Sequence, residues 1–213
     1  LRQTSTSGRV DVSSQDPAAE PAHRTDGSHQ TGGESGSCWL REPDSDDVND
    51  IAAWLADQHI NQWFDFGQGR QTLSVPAVRF MIQGGRHRIR MFGPAGHEAA
   101  SGLVAASDLA HAFGTGSFWV LRDSRRPACR DMTFTASTRL LREAFEADRL
   151  HCITAWAVEC NVRSRHLLER IGFRLVGLQR DCHVMHGSRY GRVHYDLLPA
   201  DLAADTGSPQ RGA

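Results

Sequence analysis

Three groups of residues in this chain have types and spacings that could do chemistry. The first lies in residues 156–173, WAVECNVRSRHLLERIGF, where a strand-like run ends at Cys160. Asn161 follows, then Ser164 three places on, then a helical stretch that closes on Gly172 and Phe173. An amide and a hydroxyl at the mouth of a helix can hold a polar ligand and pass a proton. They can equally just cap the helix, because both side chains satisfy its orphan N–H groups. The second group is the run 125–131, RRPACRD, whose Arg125, Arg126 and Arg130 precede a helical segment. Cations near a helix start bind phosphate. The third is His183, flanked by Cys182 and His186. An imidazole is a sensible general base near neutral pH, and a surface histidine in a hairpin is the plainer alternative. Residues 183 and 186 of a strand point to opposite faces, so a metal site is not expected there.

Those residues need elements to position them. SCWLREP reads as a short strand. DSDDVNDIAAWLADQHINQWF opens on several cap candidates and acids, and its Ile51, Trp54, Leu55 and Ile60 recur at helical spacing. SVPAVRFMI, with Pro76 near its start, reads as a second helix. HRIRMF alternates as a strand does, and GPAGHE is turn chemistry. AASGLVAASDL and GSFWVLRD read as strands, and TASTRLLREAF as a helix with Leu140, Leu141, Ala144 and Phe145 on one face. HCITAWAVEC is apolar enough to suggest a strand buried on both faces. SRHLLERIGF is a helix, and RLVGLQRDCHVM with RYGRVHYDLL forms a closing hairpin around HGS. The order is β, two helices, three strands, helix, strand, helix, two strands, which predicts an α/β layer.

The bulk numbers bound the reading. The chain has 213 residues, enough for one sizeable core. Its formal net charge of −1 argues against nucleic acid or an anionic membrane as a partner. No apolar run approaches the roughly 20 residues of a membrane span. LRQTSTSGRVDV lacks the apolar centre of a signal peptide, so a cytoplasmic protein is expected. The five cysteines are scattered without a CxxC pair, which argues against a disulfide framework or a structural zinc, and Cys152 and Cys160 read as buried thiols. All 24 Lys+Arg positions are Arg, so there can be no lysine Schiff base and no phosphate-loop lysine. Residues 1–37 are too poor in large apolar side chains to offset their ordering entropy and are expected to be a disordered tail. Residues 38–200 form the folded domain, and 201–213 a second, flexible tail.

The element order and four stretches together resemble the GNAT acyltransferase superfamily, nearest its ribosomal-protein N-terminal acetyltransferase-like branch. The stretches are LREPDSDDVNDIAAWLAD; SFWVLRD with the arginine-rich run and TASTRLLREAF; the N-x-x-S…G-F of Asn161, Ser164, Gly172 and Phe173; and GLQRDCHVMHG…YDLL. They span about residues 38–198. The resemblance implies the GNAT fold, a mixed central sheet of about seven strands with helices on both faces. In it, two adjacent parallel strands splay apart and accept a pantetheine arm almost as a further strand. Phe118–Leu121 and Trp156–Glu159 would be those strands, with Trp119, Val120 and Leu121 against the arm and a backbone N–H near Val120 on the oxyanion. Asn161 would hydrogen-bond the arm, Ser164 would hand a proton to the departing thiolate, and His183 takes the position of the base. The tyrosine some relatives use as general acid is replaced by Leu168. Tyr195 matches an aromatic of the family's last strand, or is simply core.

One part of the pattern breaks. The family's R/Q-x-x-G-x-G/A loop, whose backbone cradles the pyrophosphate of coenzyme A, here begins at Arg126 and carries Cys129 and Asp131 in place of its glycines. Three readings stay open. The co-substrate is acetyl-CoA or another acyl-CoA, with Arg125, Arg126 and Arg130 on the phosphates. Or it is a phosphopantetheine thioester on an acyl carrier protein. Or the domain is a catalytically inactive binding or regulatory module. No metal cofactor is implied. The acceptor would be a small-molecule or peptide amine, with Trp63, Phe64, Asp65 and Phe66 lining its slot or belonging to the core. A monomer or a homodimer is expected.

Overall fold

The computed structural model describes residues 38–203, so the expectations for 1–37 and for 204–213 lie outside the described residues. Seven strands form one sheet: β1 (Cys38–Arg41), β2 (His87–Pro94), β3 (Gly102–Ser107), β4 (Thr115–Arg122), β5 (Cys152–Val158), β6 (Arg174–Met185) and β7 (Ser188–Leu197). Their spatial order is β1-β2-β3-β4-β5-β7-β6. All neighbours are antiparallel except β4 and β5. Five helices cover both faces: α1 (Asp47–Ala56), α2 (Gln58–Asn61), α3 (Val75–Gln83), α4 (Met132–Glu146) and α5 (Val162–Ile171). A short 3-10 turn, Pro199–Asp201, follows β7.

The burial pattern follows from strand alternation. Phe118 of β4 points into a core with Leu140 and Leu141 of α4, Leu168 and Ile171 of α5, and Tyr195. Leu121 points the other way, into a core with Ile51 and Leu55 of α1 and Val78 of α3. Each face of the sheet therefore has its own apolar layer, as the two-sided α/β architecture requires.

Four sequence expectations need revision. The first long helix is two: Asp57 adopts an extended ψ of 119°, and its carboxylate accepts the His59 N–H to cap α2. A local side-chain cap thus outcompetes helix continuation. α4 begins at Met132, three residues before the expected TASTRL stretch. β5 is not buried on both faces, because Thr154 is exposed and Trp156 half-buried. Cys160 is likewise exposed and Cys152 only half-buried. The closing hairpin is as expected, with its turn at His186 and Gly187, whose φ of 49° and 78° make a type I′ connection. Among the described residues, no helix is long and apolar enough to cross a membrane.

Candidate functional site: a cleft at the splayed strands

β4 and β5 pair over three rungs, Thr115–Cys152, Gly116–Ile153 and Ser117–Thr154, and no further. Beyond Ser117, β4 stays paired with β3, and β5 with β7. The facing edges of Trp119–Leu121 and Ala155–Val158 are therefore open to each other, the backbone condition for inserting an extended ligand. A cleft of about 1210 Å³ fills this opening. Its walls include Trp119, Val120, Leu121, Asn161 and Ser164, so the structure gathers the predicted arm-binding and helix-mouth residues at one site.

α5 starts where β5 stops. Asn161 is its N-cap, and its side-chain oxygen accepts the Ser164 N–H at 3.1 Å. The capping reading is therefore true of Asn161, yet among the described residues its amide nitrogen has no partner, nor does the hydroxyl of half-buried Ser164. Both remain available to a ligand. Gly172 ends the helix at φ +115°, and a Cβ there would meet the carbonyl oxygen of Asp201 at 2.0 Å. That conformation and that approach explain the glycine of the G-F pair.

The arginine run divides. Arg125 lines the cleft, but its guanidinium donates to both carboxylate oxygens of Asp123 (2.8 and 3.1 Å) and pairs with Asp57 at 2.8 Å. These bonds hold Asp123 below the usual carboxylate range. Arg126 faces Asp50 at 3.7 Å, and Arg130 is exposed beside Asp131; neither lines the cleft. Asp131 occupies the N-cap position of α4 at a left-handed φ of 58°, without a side-chain cap hydrogen bond. Arg170 binds its carboxylate at 2.5 Å and lowers its pKa, and lies over the Phe134 ring. The N-terminal residues of α4, Met132, Thr133 and Phe134, do line the cleft. So do three arginines that motif matching passed over: Arg122, Arg163 and Arg170. Arg122 Nε is buried and has no hydrogen-bond partner among the described residues. Arg163 lies inside the N-x-x-S spacing itself, the one signal that could have flagged it.

His183 is corrected. It is 2 % exposed and does not line the cleft. Its Nε2 lies 2.7 Å from the Gln62 carbonyl, which can only accept, and its Nδ1 lies 3.0 Å from Arg192 Nη2, which can only donate. Both ring nitrogens are spent and the imidazole is neutral, with burial holding its pKa low. It has no lone pair left for a substrate proton. His186 does not point away from it: its ring bonds the Gln62 side chain at 2.8 Å, so the β6–β7 hairpin clasps the end of α2. Tyr195 is core, its hydroxyl donating to Glu169 at 3.2 Å.

The opposite wall is aromatic. Phe64 and Phe66 stack at 5.6 Å, and each meets Trp119 edge-on at about 6 Å. Asp65 lies between them, but its carboxylate is taken by Arg192 at 2.7 Å and by the amides of Gly67 and Gly69. Burial alone would raise its pKa; those bonds outweigh burial and lower it. It organises the wall and is not a free anchor for an amine. Among the described residues, no three His, Cys, Asp or Glu side chains gather as a metal site.

The comparisons with known proteins agree with this geometry. The family model for an acetyltransferase (GNAT) domain matches residues 38–174. Among solved structures, the spermidine N-acetyltransferase of Vibrio cholerae, in complex with CoA and spermine, is 18% identical, with a TM-score of 0.67 over 77% of this chain and 96% of that one. RimJ of Mycobacterium smegmatis, in complex with CoA-disulfide, is 22% identical, with a TM-score of 0.59 over 78% and 84%. A GNAT-family acetyltransferase of Bacillus anthracis is 15% identical, with a TM-score of 0.61 over 78% and 96%. At these identities the structures speak for the fold. None of the proteins with curated descriptions matches the chain.

Proposed function

The chain belongs to the GNAT acetyltransferase family, and from that membership we propose that it transfers an acyl group, acetyl first, from a pantetheine thioester to a primary amine by direct attack. The observation that carries this reading is the early divergence of β4 and β5, with an unspent amide and hydroxyl at its mouth. The arm lies along the open edges of Trp119–Leu121 and Ala155–Val158, and a backbone N–H near Val120 stabilises the oxyanion. Asn161 holds the arm through its free amide nitrogen. Ser164 gives its proton to the leaving thiolate as the C–S bond breaks. The donor's phosphates meet the α4 N-terminus, with Arg122 and Arg163 as the cations on that side, Arg170 being committed to Asp131.

A carrier-protein donor is a second reading, favoured by one observation: Asp131 brings a carboxylate to the N-cap position of α4, where glycine backbone would cradle a pyrophosphate. Calorimetric titration of the full chain with acetyl-CoA beside acetyl-pantetheine separates the two. Micromolar binding of acetyl-CoA and far weaker binding of the truncated donor is the expected result. Equal, weak binding of both would move the assignment to a carrier-protein donor, and no binding of either would remove the acyltransferase reading.

A further inference from the structure

The floor of the cleft, where β4 and β5 part, carries a row of polar side chains with no role in donor binding. His87 lies opposite Ser107, Ser107 opposite Ser117, and Ser117 opposite Thr154, across four consecutive strands. Directly opposed residues share a face, so all four side chains rise on the same side of the sheet as Trp119. All four line the cleft. Ser117–Thr154 is the last rung before the splay, so the row marks the place where the inserted thioester must end.

Asp108 extends this row. Its φ of 64° turns the chain back after β3, and its carboxylate accepts the Ser117 hydroxyl at 3.0 Å. Five carboxylates line the cleft: Asp57, Asp65, Asp108, Asp123 and Asp131. Four are paired with arginines, Asp57 and Asp123 sharing Arg125, Asp65 on Arg192, and Asp131 on Arg170. Asp108 is exposed, and among the described residues no arginine reaches it. An uncompensated carboxylate at the reacting end of a cleft attracts a cation.

His87 is its neighbour in the field. Burial holds its imidazole below the usual range, Asp108 acts upward, and Arg86 downward. Its Nδ1 lies 2.8 Å from Ser107 Oγ, which also accepts the Trp119 indole N–H at 2.9 Å. In the tautomer that donates Nδ1–H to Ser107, the Nε2 lone pair is unspent.

We propose that the acceptor is a compact cationic primary amine with an aromatic or apolar body, its ammonium held by Asp108, its body against Trp119, Phe64 and Phe66, and its proton taken by His87. This rests on the acyltransferase reading. The ammonium gives one proton to His87 Nε2 and becomes a neutral amine. Its lone pair forms the C–N bond to the thioester carbonyl as the C–S bond breaks. The nitrogen loses a second proton on becoming an amide, the thiolate regains one by way of Ser164, and one proton is released overall.

The test uses the full chain and two probes, 2-phenylethylamine and uncharged 2-phenylethanol. Saturation-transfer NMR without a donor is expected to show the amine bound roughly tenfold more tightly than the alcohol, the worth of a charge-assisted hydrogen bond. Asp108→Asn is expected to erase that preference while leaving CoA affinity unchanged. Asn tolerates the left-handed backbone at this position, so the fold survives. Equal binding of both probes to the wild type, or an unchanged preference in Asp108→Asn, overturns the proposal. With acetyl-CoA, His87→Gln is expected to lower kcat and leave amine binding intact; an unchanged kcat removes His87 from the step. Asp108-dependent amine binding without any transfer would defeat the acyltransferase reading alone. Transfer as efficient in Asp108→Asn as in the wild type would defeat this inference alone.

Discussion

Ser164 and His183 show how far a residue type can mislead and how its environment decides. Ser164 looked like a helix cap, and the cap turned out to be Asn161, which accepts the Ser164 N–H and leaves the serine hydroxyl unspent at the cleft. Ser164→Ala should therefore lower kcat by about 10²-fold, the usual worth of a placed general acid, with donor KM little changed, as steady-state kinetics would read. His183 looked like a base and is a buried tie between Gln62 and Arg192. Its removal leaves a carbonyl and a guanidinium short of a partner, so His183→Ala should cost about 1–3 kcal/mol in urea unfolding. The sign of its pH dependence follows from its depressed pKa. Above the unfolded pKa of about 6.5 both states are neutral and nothing differs. As pH falls below that value, the unfolded chain binds the proton first and stability drops, until the folded pKa is passed. His183 faces Arg192 and Asp65 across this packing, and the Asp65 carboxyl is held below its usual range by its bonds to Arg192 and to the amides of Gly67 and Gly69. The urea midpoint should therefore fall between pH 7.5 and 5.5, and fall less in His183→Asn. An equal fall in both proteins would take His183 out of the acid response.

The elements were legible where local chemistry dictates them. Pro76 at the start of α3, the G-F end of α5 and the hairpin turn at His186 and Gly187 each have a backbone reason visible in the sequence. Gly172 is the sharpest, since both its φ and the Asp201 carbonyl exclude a Cβ. Gly172→Ala should destabilise by about 2–4 kcal/mol, a strain and an overpacking cost together, checked by thermal or urea unfolding. The break at Asp57 was not legible, because a helical pattern of apolar residues runs straight through it. Nor was the row from His87 to Thr154, because register between distant strands brings those residues together and no sequence spacing encodes it. The N-terminus of α4 was half legible: the loss of glycines could be read, but not the arginine that compensates. Asp131 keeps a glycine-like φ of 58°, and Arg170, from another helix, neutralises it. Asp131→Gly should relieve the strained conformation and remove a carboxylate from the phosphate end, so acetyl-CoA should bind several-fold more tightly by calorimetry. Weaker binding would mean that the Asp131–Arg170 pair itself shapes the donor site.

At the scale of the whole molecule, the splay divides the sheet into two antiparallel halves, β1 to β4 and β5 to β7, joined directly by three rungs. One of the two apolar layers spans that seam, Phe118 from one half packing near Phe173 from the other, at a ring distance of 5.8 Å, while the other layer lies wholly on the β1 to β4 half. The seam is thus held by side chains over the length where its backbone bonds are missing. A donor arm that takes the place of a strand supplies those bonds and ties the halves together, so its binding should be felt along the seam rather than at one contact. Hydrogen exchange read by mass spectrometry should slow in the peptides covering Trp119–Leu121 and Ala155–Val158 when acetyl-CoA is added, and little in β2 or β6. At about 100 times its Kd the donor should also raise global stability by roughly 2.7 kcal/mol through mass action. Acetyl-pantetheine, at concentrations giving equal occupancy, should protect the same two strands, because protection there depends on the arm and not on the nucleotide. If the nucleotide-bearing donor protected only the α4 N-terminus and left both strand edges exchanging freely, the arm would not lie in the splay. The division of the sheet would then be a feature of the fold alone, without a part in binding the donor.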